Sequence, residues 1–416
     1  MGMGHRRRVL LVSYWYPPTP GAGAARTSGF ARNLPSLGWD TVVLTAGNRR
    51  DDDLSPVAGE SRLIALPDAV APSDLYRDYS GPPRESAARE WWRWLLFPDR
   101  FLRWRRRARR AGDALLRRER CDAVWATFPP ASAALVGARL AQRRALPLVL
   151  DVRDPWLSAG GYEPRGAALR RRHERLEREL LARADAVVTV SDALADDLRG
   201  RLRLDVSRVS VIPNGWDDSL SAPLPPGAVP PQNILTCVGT VSHRNRPDLF
   251  LSALARKPPD APPPWRVQFV GNLSPGFVRR LGLSAVVEST GLVSSAEAWQ
   301  RTCAAPALLL LVGDYVGRWG HNVKVFDYLR SARPILCLEQ RPGSNDRALL
   351  ERLAPKRCVF GALAEDSDVV PLIARVLELA RAAPRLALDE SAALARFGRR
   401  ALSIELAGLL DRVAGR

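Results

Sequence analysis

Apolar residues along this chain fall into two rhythms. Short unbroken blocks such as Val9–Ser13, LPLVLDV (146–152), ADAVVTV (184–190) and ALLLLV (307–312) carry no polar alternation. Runs of this kind are strands buried on both faces, as in parallel sheets. Between them lie longer stretches with apolar residues at helical spacing, among them Ala131–Arg144, Ala167–Ala182, Asp192–Arg199 and Pro247–Ala255. Further strands are expected at Asp40–Thr45, Leu63–Leu66, 121–130, Val209–Ile212, 234–240, 266–271, Val286–Glu288 and Ile335–Leu338. Strands alternating with helices predict βα units and an α/β fold.

The rhythm breaks once. Residues 213–232 (PNGWDDSLSAPLPPGAVPPQ) hold six prolines and read as a linker. At 416 residues the chain is also too long for a single core. The prediction is two Rossmann-like domains facing each other across a cleft, spanning 1–212 and 213–390. A last helix within 391–416 is expected to pack back toward the first domain.

The most informative stretch is VGRWGHNVKVFDYLRSARPILCL (316–338). A strand leads into a loop with Gly317 and Gly320, a helix is expected to begin near Asn322, and another strand follows. Strand, glycine loop and helix present backbone N–H groups and a positive dipole end to a phosphate. Lys324 falls where its ammonium reaches such a group, and Asp327, three residues on, lies on the same side of the helix. A surface Lys–Asp ion pair is the alternative. Only Lys257, Lys324 and Lys356 are lysines among 62 basic residues, so a lysine kept here suggests a compact point charge.

Other strand ends offer partners. Gly239 closes the first strand of the second half, and Arg244 follows with a donor fork suited to a diphosphate. Arg153 and Asp154 end a strand of the first half. Asp154 either binds substrate hydroxyls and assists proton transfer, or forms an ion pair that fixes the turn. Gly21 and Gly23 sit in a long loop after the first strand. Arg26 replaces a third glycine and no acidic ribose ligand ends the next strand, which argues against a dinucleotide fingerprint. A mobile glycine loop over a ligand phosphate or sugar fits better. Asp51–Asp53 read as a solvated turn.

The formal charge of +18 admits nucleic acid, an anionic membrane or an anionic substrate. It concentrates in residues 84–120, which hold thirteen arginines against five acidic residues, with Trp91, Trp92, Trp94 and Trp104 interleaved. This stretch suits single-stranded nucleic acid, a bilayer interface or an ordinary amphipathic helix. Five scattered cysteines without CxxC read as reduced thiols, and the four histidines form no metal-ligand pattern. The apolar start ends in Pro17-Pro18 without a cleavage site, so it reads as a strand, and the chain is expected to be cytoplasmic.

Taken in order, SYWYPPTPGAGAAR, ATFPPASA, VLDVRDPW, ADAVVTVSDAL, VSVIPNGWDD, VGTVSHRNRPDLF and GHNVKVFDYLRSARPILCL resemble the family 4 group of retaining glycosyltransferases, which have the GT-B fold. The resemblance implies a nucleotide-diphosphate sugar as co-substrate, an acceptor held by the first domain, and net-retaining transfer without metal or other cofactor. It implies that Arg244 and Lys324 hold the diphosphate and that Gly239 lets the backbone approach. The backbone of Gly320, His321, Asn322 and Val323 would contact phosphate or sugar, Asp327 would take the ribose, and Gly21 and Gly23 would close over the donor. Two positions depart from the family pattern: Trp319 stands where a glutamate is common, and Arg153 where many members carry histidine. The arginine bias suggests a high-GC bacterium and an acceptor from a cell-envelope glycan, a lipid-linked sugar or a secondary metabolite. Two other readings remain: an inactive GT-B protein binding membrane or nucleic acid, with peripheral membrane contact through 84–120, and a nicotinamide-dependent reductase.

Overall fold

The computed structural model describes residues 6–19, 21–47, 62–68, 79–80, 97–157, 166–220, 233–256, 264–382 and 391–415. Asp51–Asp53, Trp91, Trp92, Trp94 and the proline-rich 221–232 lie outside them. The chain divides into two units, the first comprising 1–74, 85–214 and 399–416, the second 75–84 and 215–398. Residues 75–84, placed in the first domain by pattern alone, thus group with the second.

Unit 1 runs β1 (Arg7–Val12), α1 (Ala22–Asn33), β2 (Trp39–Gly47), β3 (Arg62–Pro67), α2 (Leu102–Arg118), β4 (Ala123–Phe128), α3 (Ala131–Arg144), β5 (Leu148–Val152), α4 (Ala167–Arg183), β6 (Ala186–Thr189), α5 (Asp192–Leu202) and β7 (Val209–Val211). Its strands form a parallel sheet in the order β3-β2-β1-β4-β5-β6-β7. Val9–Val12 of β1 lie between Thr41–Leu44 of β2 and Ala123–Ala126 of β4. Both faces are covered, which is why these strands are apolar throughout. Leu10, Val12, Val124 and Leu150 pack with residues of α2 to α5, whereas Val9, Leu11, Trp125 and Val149 meet Phe30 of α1 and the C-terminal helix.

One polar pair interrupts this sheet. Arg26, 1% exposed, forks onto Asp151, fully buried in β5, at 2.9 and 3.0 Å, and donates to the Pro213 carbonyl at 2.8 Å. A buried charge left alone costs far more than the pair contributes. Asp151→Ala is therefore expected to destabilise unit 1 by about 3–5 kcal/mol. The double variant Arg26→Met/Asp151→Leu should recover most of this, and denaturant midpoints compare the two.

Unit 2 runs β8 (Ile234–Val238), α6 (Pro247–Arg256), β9 (Arg266–Val270), α7 (Pro275–Arg280), β10 (Val287–Ser289), α8 (Ser295–Ala304), β11 (Ala307–Val312), α9 (Asp314–Trp319), α10 (Lys324–Arg330), β12 (Ile335–Glu339), α11 (Asn345–Leu353), β13 (Cys358–Ala362), α12 (Val370–Ala382) and α13 (Ala392–Ala395). The strands form a second parallel sheet, β10-β9-β8-β11-β12-β13. Leu309 and Leu311 of β11 face Phe250, Ile373 and Leu377, while Leu308 and Leu310 face Phe326, Leu329 and Leu350. The last helix, α14 (Arg399–Ala414), belongs to unit 1.

One expectation changes and two are sharpened. The predicted glycine loop is partly helical, because Gly317 lies in α9 against the Ser344 side chain, where a bulkier residue would collide. The second helix begins at Lys324, within two residues of the expected start near Asn322. Of the readings open for 84–120, the amphipathic helix holds at Trp104, which is fully buried against Tyr14 with ring centroids 5.1 Å apart.

Candidate active site

In unit 2, β8 and β11 are neighbours at the centre of the sheet, and the chain leaves them toward opposite edges. Loops at the carboxyl ends of two such strands splay apart and leave a crevice where ligands of open α/β sheets bind. The loop after β8 carries Gly239 and Arg244, and the segment after β11 leads to Lys324. Strand order thus brings the two predicted cations onto adjoining strand ends.

Gly239 holds φ = 94°, a backbone region that strains any other residue. Lys324 Cε and Nζ lie 3.6 and 3.7 Å from where a Gly239 side chain would begin. The lysine therefore lies along the half-buried glycine backbone. Its Nζ is 3.9 Å from Cys237 Sγ, whose pKa burial pushes up while the ammonium beside it pulls it down. The Arg244 guanidinium stacks over the Tyr315 ring at 4.5 Å, and its carbonyl packs on Gly313.

The two loops are joined directly. Asn245 Nδ2 donates to Asn322 Oδ1 at 2.7 Å, and Asn322 Nδ2 donates to Asp346 at 2.6 Å. Asp346, fully buried in the first turn of α11, also accepts from the Asn322 backbone N–H and lies 3.1 Å from His321 Nδ1. Asn322 is 6% exposed, so both its backbone and its side chain organise the loop from within. Gly320, His321, Val323, Lys324 and Asp327 are half-buried. Tyr328, fully buried, accepts from the Val238 N–H at 2.9 Å and donates to the Leu309 carbonyl at 3.3 Å, which seats α10 on β8 and β11. On the other flank, Asn272 brackets Val241 through both its amide groups, at 2.8 and 3.1 Å.

Sequence reasoning missed Asn245, Asn272, Tyr315 and Asp346. Asp346 reads locally as an ordinary acid in a first helical turn, and only the fold shows that it holds a loop more than twenty residues earlier.

In unit 1, the central neighbours are β1 and β4. Gly21 caps α1 with φ = 113°, and Gly23 lies in its first turn, so the predicted loop is already helical there. The Arg153 guanidinium packs so closely on Gly23 that a side chain there would displace it, and it donates to the Pro129 carbonyl at 2.8 Å. Asp154 is half-buried in the turn after β5. Below it, Trp156 stacks on Phe128 at 4.2 Å and donates through Nε1 to His173 Nδ1 at 3.4 Å. In this unit Arg153 thus packs on Gly23 with Asp154 following it in the chain, while in the other Arg244 stacks on Tyr315 and Lys324 lies along Gly239, with Asp327 three residues further along α10.

His173 is buried beside Arg172, which together lower its pKa from 6.5 to about 4, burial contributing more. The Trp156 bond also requires an unprotonated Nδ1. A base whose folded pKa is depressed contributes stability that is present above 6.5 and lost as pH falls toward 4. The melting temperature should therefore drop across that window, and His173→Gln should flatten the drop.

Two open parallel sheets, each with its candidate residues at the central strand ends, define a protein of the GT-B class. Residues 21–215 match the glycosyl transferase 4-like domain family. Among solved structures, the chain is similar to the sucrose-phosphate synthase of Thermosynechococcus elongatus, with 15% identity, a TM-score of 0.68 and coverage of 98% of this chain and 99% of that one. It is also similar to the lipopolysaccharide outer core galactosyltransferase WaaB (12%, TM-score 0.56, covering 97% and 99%). A UDP-N-acetylglucosamine 2-epimerase is alike to a similar degree (14%, TM-score 0.56, covering 99% and 96%). These likenesses concern the fold. No curated protein sequence matches the chain. Among the described residues no helix is long and apolar enough to cross a membrane, and no group of three or more His, Cys, Asp or Glu is placed to hold a metal.

Proposed function

We propose that the protein transfers a sugar from a nucleotide-diphosphate sugar to an acceptor hydroxyl, with retention at the anomeric carbon and without a metal ion. The observation that carries this reading is Lys324 lying along the Gly239 backbone, with the Arg244 loop tied to the Asn322 loop by the Asn245 bond. Two cations on joined loops suit a diphosphate, whose charge grows as it departs. In the transfer, the bond from the anomeric carbon to the phosphate oxygen breaks and a bond to the acceptor oxygen forms on the same face. The acceptor proton passes to the departing phosphate oxygen. Arg244 and Lys324 stabilise that oxygen's developing charge. Gly320, His321 and Val323 supply backbone contacts to phosphate or sugar, Asp327 accepts from the ribose, and Gly21, Gly23 and Asp154 serve the acceptor side. A nucleotide-sugar donor fits a cytoplasmic reaction, and the arginine bias fits a bacterial one.

Thermal-shift measurements with UDP, GDP, TDP and ADP test this reading. One diphosphate should raise the melting temperature by several degrees, following mass action, and NAD(P) should not. Stabilisation by none of the four, or by NAD(P) alone, contradicts it.

A second reading rests on the outer face of α2, where Arg103, Arg106, Arg109, Arg110, Arg117 and Arg118 are exposed. Such a face attracts an anionic bilayer, and would bring the enzyme to a lipid-linked acceptor. Salt-sensitive sedimentation with phosphatidylglycerol vesicles, absent with phosphatidylcholine, supports membrane contact. Equal binding to RNA would favour a general polyanion surface.

A further inference from the structure

Tyr79 is placed oddly. The chain on either side of residues 75–84 belongs to unit 1, yet this stretch groups with unit 2. There Tyr79 forms a one-residue parallel bridge to Leu273: its N–H donates to the Asn272 carbonyl at 2.6 Å, and its carbonyl accepts from Ser274 at 3.0 Å. The next residue is held too, because Arg280 donates to the Ser80 carbonyl at 2.9 Å. The ring is 7% exposed and packs edge-on to Phe277 at 5.9 Å.

Its hydroxyl reaches Asp248 at 2.9 Å, at the start of α6. Asp248 in turn receives a fork from Arg246, at 3.0 and 2.8 Å to one oxygen, and Arg246 carries the left-handed φ of 53° that turns the loop into the helix. Tyr79 therefore grips both feet of the segment 239–246. One foot is Asn272, which brackets Val241, two residues after Gly239. The other is the Arg246–Asp248 pair, which follows Arg244. A buried hydroxyl bonded to a carboxylate is strongly anchored, because losing it leaves the acid short of a donor.

We propose that Tyr79 is a positioning residue for the Gly239–Arg246 loop, contributed by a stretch of chain inserted between two parts of unit 1. In catalytic terms the proposal rests on reading that loop as the diphosphate site. Tyr79 touches no reacting atom. It fixes the loop from both ends, so that Arg244 is presented in one place and not over a range of positions. A preformed cation loses less freedom when the donor binds.

Hydrogen exchange followed by mass spectrometry on the full chain tests this without any ligand. Tyr79→Phe removes only the hydroxyl, and Tyr79→Ala also removes the ring. Expected is faster exchange of the amides of 240–246, about tenfold in Tyr79→Ala and smaller in Tyr79→Phe, with β11 and β12 unchanged. Unchanged exchange at 240–246 in both variants overturns the proposal, and so does a uniform rise across unit 2, which marks ordinary core packing. If Tyr79→Ala does not fold, Tyr79→Phe alone decides. The diphosphate found by thermal shift should then bind about tenfold more weakly to the variants, with the loss falling on KM for the donor rather than on kcat. If the wild-type protein binds no nucleoside diphosphate, the transferase reading fails while the exchange data still decide the role of Tyr79.

Discussion

Lys324→Ala is expected to lower the rate of sugar transfer by about 10²–10³-fold, with Arg244→Ala close behind and the double variant inactive. A preorganised donor facing developing negative charge supplies about 2.7–4 kcal/mol of transition-state stabilisation, and in the proposed reaction each cation faces the same departing diphosphate. Both residues are half-buried and belong to neither core of unit 2, Arg244 in the loop after β8 and Lys324 as the first residue of α10, so the fold should survive. Lys324→Arg separates charge from shape. A planar guanidinium differs from a compact ammonium in shape and reach, so the charge-conserving variant should also be impaired. Initial rates and circular dichroism on the same preparations check this. Near-normal turnover in both alanine variants would remove the diphosphate clamp from the account.

Deletion of residues 399–416 is expected to abolish folding of unit 1. Leu402, Leu406, Leu409, Leu410 and Val413 of α14 are all at most 6% exposed, packed on Val9, Leu11, Trp39 and Trp125. Burying each contributes about 2 kcal/mol, so the helix supplies about 10 kcal/mol, against a whole-domain stability of about 5–15 kcal/mol. Polar contacts add to it: Arg399 donates to the Ala25 carbonyl at 2.6 Å, and Trp39 Nε1 donates to Asp411 at 3.0 Å. The milder Leu406→Ala should cost about 2–5 kcal/mol. Chemical denaturation measures both, and a truncated chain that melts like the full one would contradict the assignment of this helix to the first core.

The α/β class was legible because buried parallel strands leave an unmistakable mark, as in ALLLLV at 307–312. The glycine and cation positions were legible because strand ends could be found from the same runs. Other features gave no local signal. Gly317 looked like a loop residue, since nothing in its neighbourhood announces that it packs on Ser344. Trp104 lay in a stretch that suited a bilayer interface or an ordinary amphipathic helix, since helical spacing does not say which neighbour covers a face. Arg26, which only spoils a glycine motif on paper, is a buried partner for an aspartate 125 positions away.

By itself the amino-acid sequence determined the βα rhythm, the two halves, and the residue types able to bind a diphosphate, because periodicity and composition act over a few turns of chain. Strand order, and therefore which strand ends adjoin, was settled only by tertiary structure. So were the Asp346 and Tyr79 anchors and the return of α14 to the first core. The reason is physical: those arrangements minimise exposed apolar surface and unpaired polar groups over the whole chain, and no local window contains the competing partners.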